Sequence, residues 1–391
     1  MASFKENDNK YISKTYARFD IELTRGSGSL VYDVNGKEYI DLSSGIAVNT
    51  FGYCDPVWQN AVTEQISKLQ HTSNLFYTEP SANLAKMLCE KTGAKNVFFS
   101  NSGAEANECA IKTARLYAEK SHGKDHYNII TLKNSFHGRT VTTLAATGQD
   151  VFHEHFTPMT EGFLYADAND LEALCRLAKE NKCAAIMMEL VQGEGGVVPL
   201  DKDFVTGVKN LAEELDMLLI FDEVQTGNGR CGTLYAYENY GVVPDILTTA
   251  KGLAGGLPLG ATLFFEKTSD TLSAGLHGST FGANPVCCAA ALSVLSRIDG
   301  NLLASVKEKS EYIFSELSSS DGVKSVTGLG LMIGIEPKAD ASAIIAECIK
   351  AGILPIKAKN KIRLLPPLNI PFELLEKAIS ILKEKLKESV L

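Results

Sequence analysis

The sequence predicts an α/β fold, with a large domain built on a mostly parallel sheet and a smaller α+β domain attached to it. Three observations predict it. Short apolar runs rich in β-branched residues alternate with helical patterns between residues 96 and 265. Two of those runs end in an ionisable residue, Asp222 and Lys251. After Pro285 the pattern changes to two helices, then short strands interleaved with further helices. Strand–helix alternation marks a parallel sheet because parallel neighbours need a crossover, and the crossover is usually a helix.

In chain order, Leu30 to Leu42 reads as two strands joined across Asn35-Gly36 by a type I′ turn. Asp55-Pro56 offers an N-cap and a first-turn proline, and Trp58, Ala61, Val62, Ile66 and Leu69 recur at helical spacing, so a helix to about residue 69 follows. Ser81 to Thr92 is a second helix, stopped by Gly93. The strand runs are Asn96 to Ser100, Asn128 to Leu132, Ala184 to Leu190, Met217 to Phe221, Ile246 to Ala250 and Ala261 to Phe265. Helical patterns at Glu105 to Lys120, Leu171 to Lys179 and Phe204 to Leu215 lie between several of them. The tail carries helices from Pro285 to about Ile298, Leu302 to about Ser318, Ala341 to Ala351 and Phe372 to Lys387.

A chain of 391 residues exceeds one compact core, so two domains are expected. The net charge of −9 and the lack of Lys/Arg runs argue against nucleic acid or an anionic membrane as the main partner, since both reward a basic face. A small-molecule partner is expected instead. The N-terminal residues have no apolar signal-like core and no run approaches the ~18 apolar residues of a span, so a cytoplasmic protein is expected. Nine cysteines, an odd number without a C-x-x-C pair, fit reduced thiols better than a disulfide framework. His153-Glu154-His155 lacks further ligands nearby, so no metal is expected.

The chemistry centres on Lys251, delivered by the run Ile246 to Ala250 into a turn of small residues. Gly252, Gly255 and Gly256 lack Cβ atoms, which suggests that a bulky ligand approaches the lysine closely. In an open parallel sheet ligands bind at the carboxyl ends of the strands, where Asp222 and Lys251 would face one crevice. An acid and a lysine so placed suit pyridoxal phosphate: the lysine forms a Schiff base, and the carboxylate keeps the pyridine nitrogen protonated. A plain ion pair at the sheet edge is the competing reading. The strand Asn96 to Ser100 runs through Asn101, Ser102, Gly103 and Ala104 into a helix, which makes an anion site for a phosphate; Ser102 with Glu105 equally makes a capping box. Phe136 could stack on a cofactor ring and Arg139 could hold a carboxylate. Glu194 adds a third acid at this edge, and Arg363 is a second candidate carboxylate clamp.

Together, Ser102 to Asn107, Phe136 to Arg139, Gln192 to Gly196, Asp222 to Gly227, Ala250 to Leu253 and Arg363 with its prolines resemble the class III aminotransferases, the ω-amine branch of the pyridoxal-phosphate fold-type I enzymes. The resemblance implies a seven-stranded-type sheet in a large domain at residues 51–285, and a small domain made from both chain ends, residues 1–50 and 286–391. It implies Lys251 as the Schiff-base lysine and proton carrier, Asp222 as the partner of the pyridine nitrogen, Gln225 beside the ring's phenolic oxygen, and Phe136 stacked on the ring. Ser102, Gly103 and Ala104 would hold the phosphate, and Thr280 would reach the phosphate of the partner subunit in a homodimer. Arg139, Glu194, Ser279 and Arg363 are the implied substrate contacts. Arg139 would grip the distal carboxylate of an ω-amino donor and Arg363 the carboxylate of glutamate, with Glu194 neutralising Arg363 when glutamate is absent. The implied reaction is a ping-pong exchange with 2-oxoglutarate. By the same resemblance, ornithine aminotransferases carry a tyrosine at the position matching Gly45, so Gly45 implies room for an acyl group and points to an N2-acylated ornithine. N-succinyl-diaminopimelate, ornithine, 4-aminobutyrate and a catalytically silent cofactor-binding relative stay open.

Overall fold

The computed structural model describes residues 4–390. Its central sheet has seven strands, in the order Asn96–Ser100, Gly260–Phe264, Ile246–Thr249, Leu218–Asp222, Cys183–Met188, Asn128–Leu132, Phe163–Ala166. Only Gly260–Phe264 runs antiparallel to its neighbours. It follows Ile246–Thr249 after a short turn through Lys251–Ala254, with no crossover helix to bring the chain back parallel. Every residue of Cys183–Met188 and Leu218–Asp222 is buried. Continuous apolar runs of this kind belong to strands covered on both faces.

The Leu30–Asp33 and Glu38–Asp41 hairpin forms as expected, but its turn differs from type I′. Gly36 alone of the central pair has a positive φ, +81°, while the Asp33 carboxylate accepts the N–H groups of Asn35 and Lys37. That bracing keeps Asn35 out of the left-handed region and makes a longer loop with glycine in the αL position. Strand Ile353–Leu354 pairs with this hairpin in parallel, Ile353 opposite Ile40, and a second four-stranded sheet is built from Val323–Leu329, Met332–Pro337, Lys361–Leu364 and Ile356–Ala358. Ile40 and Leu42 share a core with Ile333, Leu364 and the helix Phe372–Glu388. The two ends of the chain therefore pack on one another.

Several elements were not legible in the sequence, three of them at an end of the chain or an edge of a sheet. Phe4–Tyr11 buries no residue, Leu23–Ser27 is exposed along most of its length, and Phe163–Ala166 is a four-residue edge strand. None carries an apolar period long enough to read. All nine cysteines are free, and His153 uses its Nε2 on the carbonyl of Leu144. Among the described residues no single helix is long and apolar enough to cross a membrane.

Candidate active site

At the carboxyl ends of Leu218–Asp222 and Ile246–Thr249 lies a cavity of about 460 Å³. Lys251 lines it, with Asp222, Phe136, Arg139, Gln225 and the turn Asn101 to Ala104. Lys251 has a φ of +45°, a strained conformation for a residue with a Cβ, and the turn around it is tied down on both sides. Asn228 donates to Ala250 O at 3.1 Å, Thr50 to Gly252 O at 2.8 Å and Trp58 Nε1 to Ala254 O at 2.9 Å. Gly252 and Gly255 serve packing, contrary to the expectation that they clear space for a ligand, whereas Gly256 lines the cavity and has nothing closer than 3.4 Å to a Cβ built on it. A Cβ on Gly252 would sit 2.8 Å from Thr50 Oγ1, and one on Gly255 would sit 3.0 Å from Val294 Cγ2.

Burial pushes the pKa of Lys251 below that of an ordinary lysine, and the carboxylates of Glu194 and Asp222 push it partly back up. Its neutral amine is therefore populated at lower pH than on a surface lysine. In Glu194→Gln the first of those opposing charges disappears and Arg363 is left without its counter-charge, so both changes lower Lys251 further. The condensation of apoprotein Lys251 with pyridoxal phosphate, followed against pH, then shifts its profile to lower pH; a shift to higher pH contradicts this electrostatic account.

Asp222 is 3% exposed and fixed by donors on both oxygens. Oδ2 accepts Asn107 Nδ2 and His137 Nδ1, each at 2.8 Å, and Oδ1 accepts Val224 N at 3.0 Å. Because a carboxylate only accepts, His137 carries its proton on Nδ1 in this contact. Asn107 in turn donates to His137 O at 2.7 Å and accepts from Thr248 Oγ1 at 2.7 Å, so its amide orientation is set from both sides. Three donors leave one acceptor position of about four on the carboxylate. That position, on a cavity-lining residue, fits the protonated nitrogen of a pyridine ring.

The cap forms at the end of a helix whose first turn lines the cavity. Ser102 Oγ accepts the N–H of Glu105 at 3.2 Å and donates to its carboxylate at 3.0 Å, while Glu105 accepts Asn101 N at 2.9 Å. The hydroxyl is thus spent on capping the twenty-residue helix Gly103–His122. Gly103 and Ala104, whose first-turn N–H groups have no intrahelical partner, line the cavity and fit a phosphate at the helix N-terminus. Gly103 lacks a Cβ for a steric reason: one there would meet Val224 Cγ1 at 2.6 Å. Phe136 forms part of the cavity wall, held by its N–H on Glu189 Oε1 at 2.8 Å.

The two candidate clamps are in opposite states. Arg363 is 2% exposed, and its Nη1 donates to Glu194 at 2.6 Å and to Gln225 Oε1 at 3.1 Å, with Nη2 on Glu194 at 3.3 Å. Burial raises the Glu194 pKa, but the Arg363 guanidinium, with Lys251 and Gln225, more than offsets this and holds the pKa below the ordinary carboxylate value. Gln225 links this pair to the cavity and donates to Glu194 at 3.4 Å. Arg139 lines the cavity with its side chain exposed and has no ion-pair partner among the described residues. Ser279 Oγ accepts from Asn101 Nδ2 at 3.1 Å beside the phosphate turn, whereas Thr280 is exposed and outside the cavity wall.

Sequence reasoning left His137, Asn107, Thr248 and Glu189 without roles. Glu189 is buried at the cavity, bridges Phe136 N and Gly193 N, and burial raises its pKa to about 7. A lone acid inside the apolar run Ala184 to Leu190 was the available signal for it.

The class-III aminotransferase profile matches residues 11–386. An acetylornithine aminotransferase from Haemophilus ducreyi is 52% identical over 386 residues, covering 98% of each chain. The N-acetylornithine aminotransferase structure from Stenotrophomonas maltophilia superposes with a TM-score of 0.86 at 34% identity, over 98% of both chains. An ornithine aminotransferase from Toxoplasma gondii, solved with partial occupancy of pyridoxal phosphate at its active site, gives a TM-score of 0.94 at 30% identity, over 99% of this chain and 94% of that one. A buried acid with one acceptor position left, a desolvated lysine and a helix N-terminus around one cavity fit that cofactor, and the chain belongs to the class-III aminotransferases, pyridoxal-phosphate-dependent transaminases.

Proposed function

We propose that the protein moves the ω-amino group of N2-acetylornithine to 2-oxoglutarate, a step of arginine biosynthesis, in two alternating half-reactions that share one pocket. The observation that carries this reading is the contrast between an open Arg139 and an Arg363 sealed by Glu194. An ω-amino donor has no carboxylate on its reacting carbon, so its carboxylate must be held at a distance, which suits Arg139. Glutamate has one, and displaces Glu194 from Arg363. Gly45 supports an acyl donor: a Cβ there would have only Asn49 Nδ2 at 3.4 Å and Val48 Cβ at 3.8 Å near it, and Val48 lines the cavity.

Pyridoxal phosphate, when bound, supplies an electron sink for the carbon that loses its proton. Lys251 Nζ, as a free amine, takes that proton, a role that its lowered pKa favours. Asp222 keeps its charge in place through Asn107, His137 and Val224 N, so nothing reorganises as charge develops.

The same reading divides the chain into a large domain at 51–285 and a small one from 1–50 and 286–391, and makes it a cytoplasmic homodimer. Support for the dimer is an exposed apolar stretch, Leu75, Phe76 and Tyr77, fastened beside Thr280 by Asn74 Nδ2 on Ser279 O at 3.1 Å and Gly282 O at 2.9 Å. Such a patch on a folded chain marks an interaction site.

Single-turnover half-reactions on acetylornithine, succinyl-diaminopimelate, ornithine and 4-aminobutyrate test the donor. Acetylornithine reacts with the highest ratio of rate to apparent dissociation constant; ornithine outpacing both acylated donors overturns the assignment.

A further inference from the structure

Arg139 is held by rings where Arg363 is held by an acid. Its guanidinium carbon lies 4.0 Å from the centroid of Phe152 and 5.6 Å from that of Phe136, and the two rings meet edge to face at 6.0 Å. Arg297 also sits on a ring, that of Phe51 at 3.9 Å, yet pairs with Asp55 at 2.8 Å as well. Arg139 has no such acid among the described residues, although it lines the cavity.

The segment that presents Phe152 is anchored to the Ser135 turn. Gly148 N donates to Ser135 Oγ at 3.0 Å and Gln149 Nε2 to Ser135 O at 2.9 Å, and the short 3₁₀ turn Asp150–Phe152 closes with Phe152 N on Gln149 O at 3.0 Å. Phe136 and Phe152 are therefore carried on one braced unit, and Arg139 lies against both rings.

A ring against the flat face of a guanidinium leaves its in-plane N–H groups free, and those are the groups that bind a carboxylate bidentately. An acid in the same place would occupy them and would have to be displaced by every donor. We propose that Phe152 is a specificity-determining positioning residue, which holds Arg139 open for amino donors bearing a carboxylate several bonds from the reacting amine. This rests on the reading of Arg139 as the donor clamp.

The test uses holoenzyme and two matched donor pairs, acetylornithine with N-acetylputrescine and ornithine with putrescine, each pair differing by the carboxylate alone. Phe152→Leu keeps apolar bulk and removes the ring face. Its apparent dissociation constant for the carboxylated member of the pair that wild type uses rises about three- to thirtyfold. The maximal half-reaction rate and the carboxylate-free member are unaffected. Phe152→Tyr restores the wild-type constant, and in an Arg139→Ala background Phe152→Leu adds nothing. An unchanged constant for the carboxylated donor, or equal weakening of all ligands, overturns the proposal, and so does a wild type that treats both members of each pair alike. A wild type that prefers ornithine overturns the acetylornithine assignment alone, because the effect of Phe152→Leu is then read on the ornithine pair.

Discussion

Lys251→Ala loses transamination by about 10⁴-fold or more, the upper end of what a positioned proton-transfer group supplies, with the covalent attachment lost as well. The fold tolerates the change. Lys251 makes no hydrogen bond that braces the turn; the braces are Asn228, Thr50 and Trp58 acting on the carbonyls of Ala250, Gly252 and Ala254. Alanine also removes a buried amine whose charged form the site disfavours. The variant therefore binds pyridoxal phosphate without fixing it, because Asp222 and the Gly103-Ala104 turn remain in place.

Asp222→Ala follows with a fall of about 10²–10³ in either half-reaction, the usual cost of removing one preorganised electrostatic partner. It also leaves Asn107 Nδ2, His137 Nδ1 and Val224 N without their acceptor, at about 1–3 kcal/mol each. Asp222→Asn is no quiet isostere. With one side of its amide turned to Val224 N, its NH₂ faces two donors. His137 can answer by moving its proton to Nε2, which is buried and has no partner in the structure, but the Asn107 amide is fixed by Thr248. Both variants show weakened cofactor binding in equilibrium titration together with the rate loss. Asp222→Asn within threefold of wild type in both measurements would remove the acid from the account.

Much of this site could be read in the sequence because strand ends are legible. Leu218–Asp222 and Ile246–Thr249 are short buried runs whose last residues and successors face the crevice, so Asp222 and Lys251 could be placed there from pattern alone. Six of the sheet's strands followed from the same alternation, and the seventh, the edge strand Phe163–Ala166, did not. What could not be read depends on contacts distant in the chain. His137 becomes part of the acid's support only when the Asn128–Leu132 strand lies two places from Leu218–Asp222, and Asn107 only when its helix packs on Leu218–Asp222. Gly252 and Gly255 misled for a similar reason: the atoms that fill their space belong to Thr50, Trp58 and Val294, far off in sequence. Phe152 sits in a stretch with no period at all, and its relation to Arg139 is visible only in the packed structure.

The central claim is that one amine, Lys251, carries the cofactor opposite one acid, Asp222, in one cavity. Borohydride trapping of holoenzyme, followed by proteolysis and peptide mass mapping of wild type beside Lys251→Ala, tests it most directly. The account predicts the reduced cofactor mass on the wild-type peptide containing Lys251 and on no peptide of the variant. Cofactor fixed to another lysine, or none fixed in a wild type that still transaminates, contradicts it.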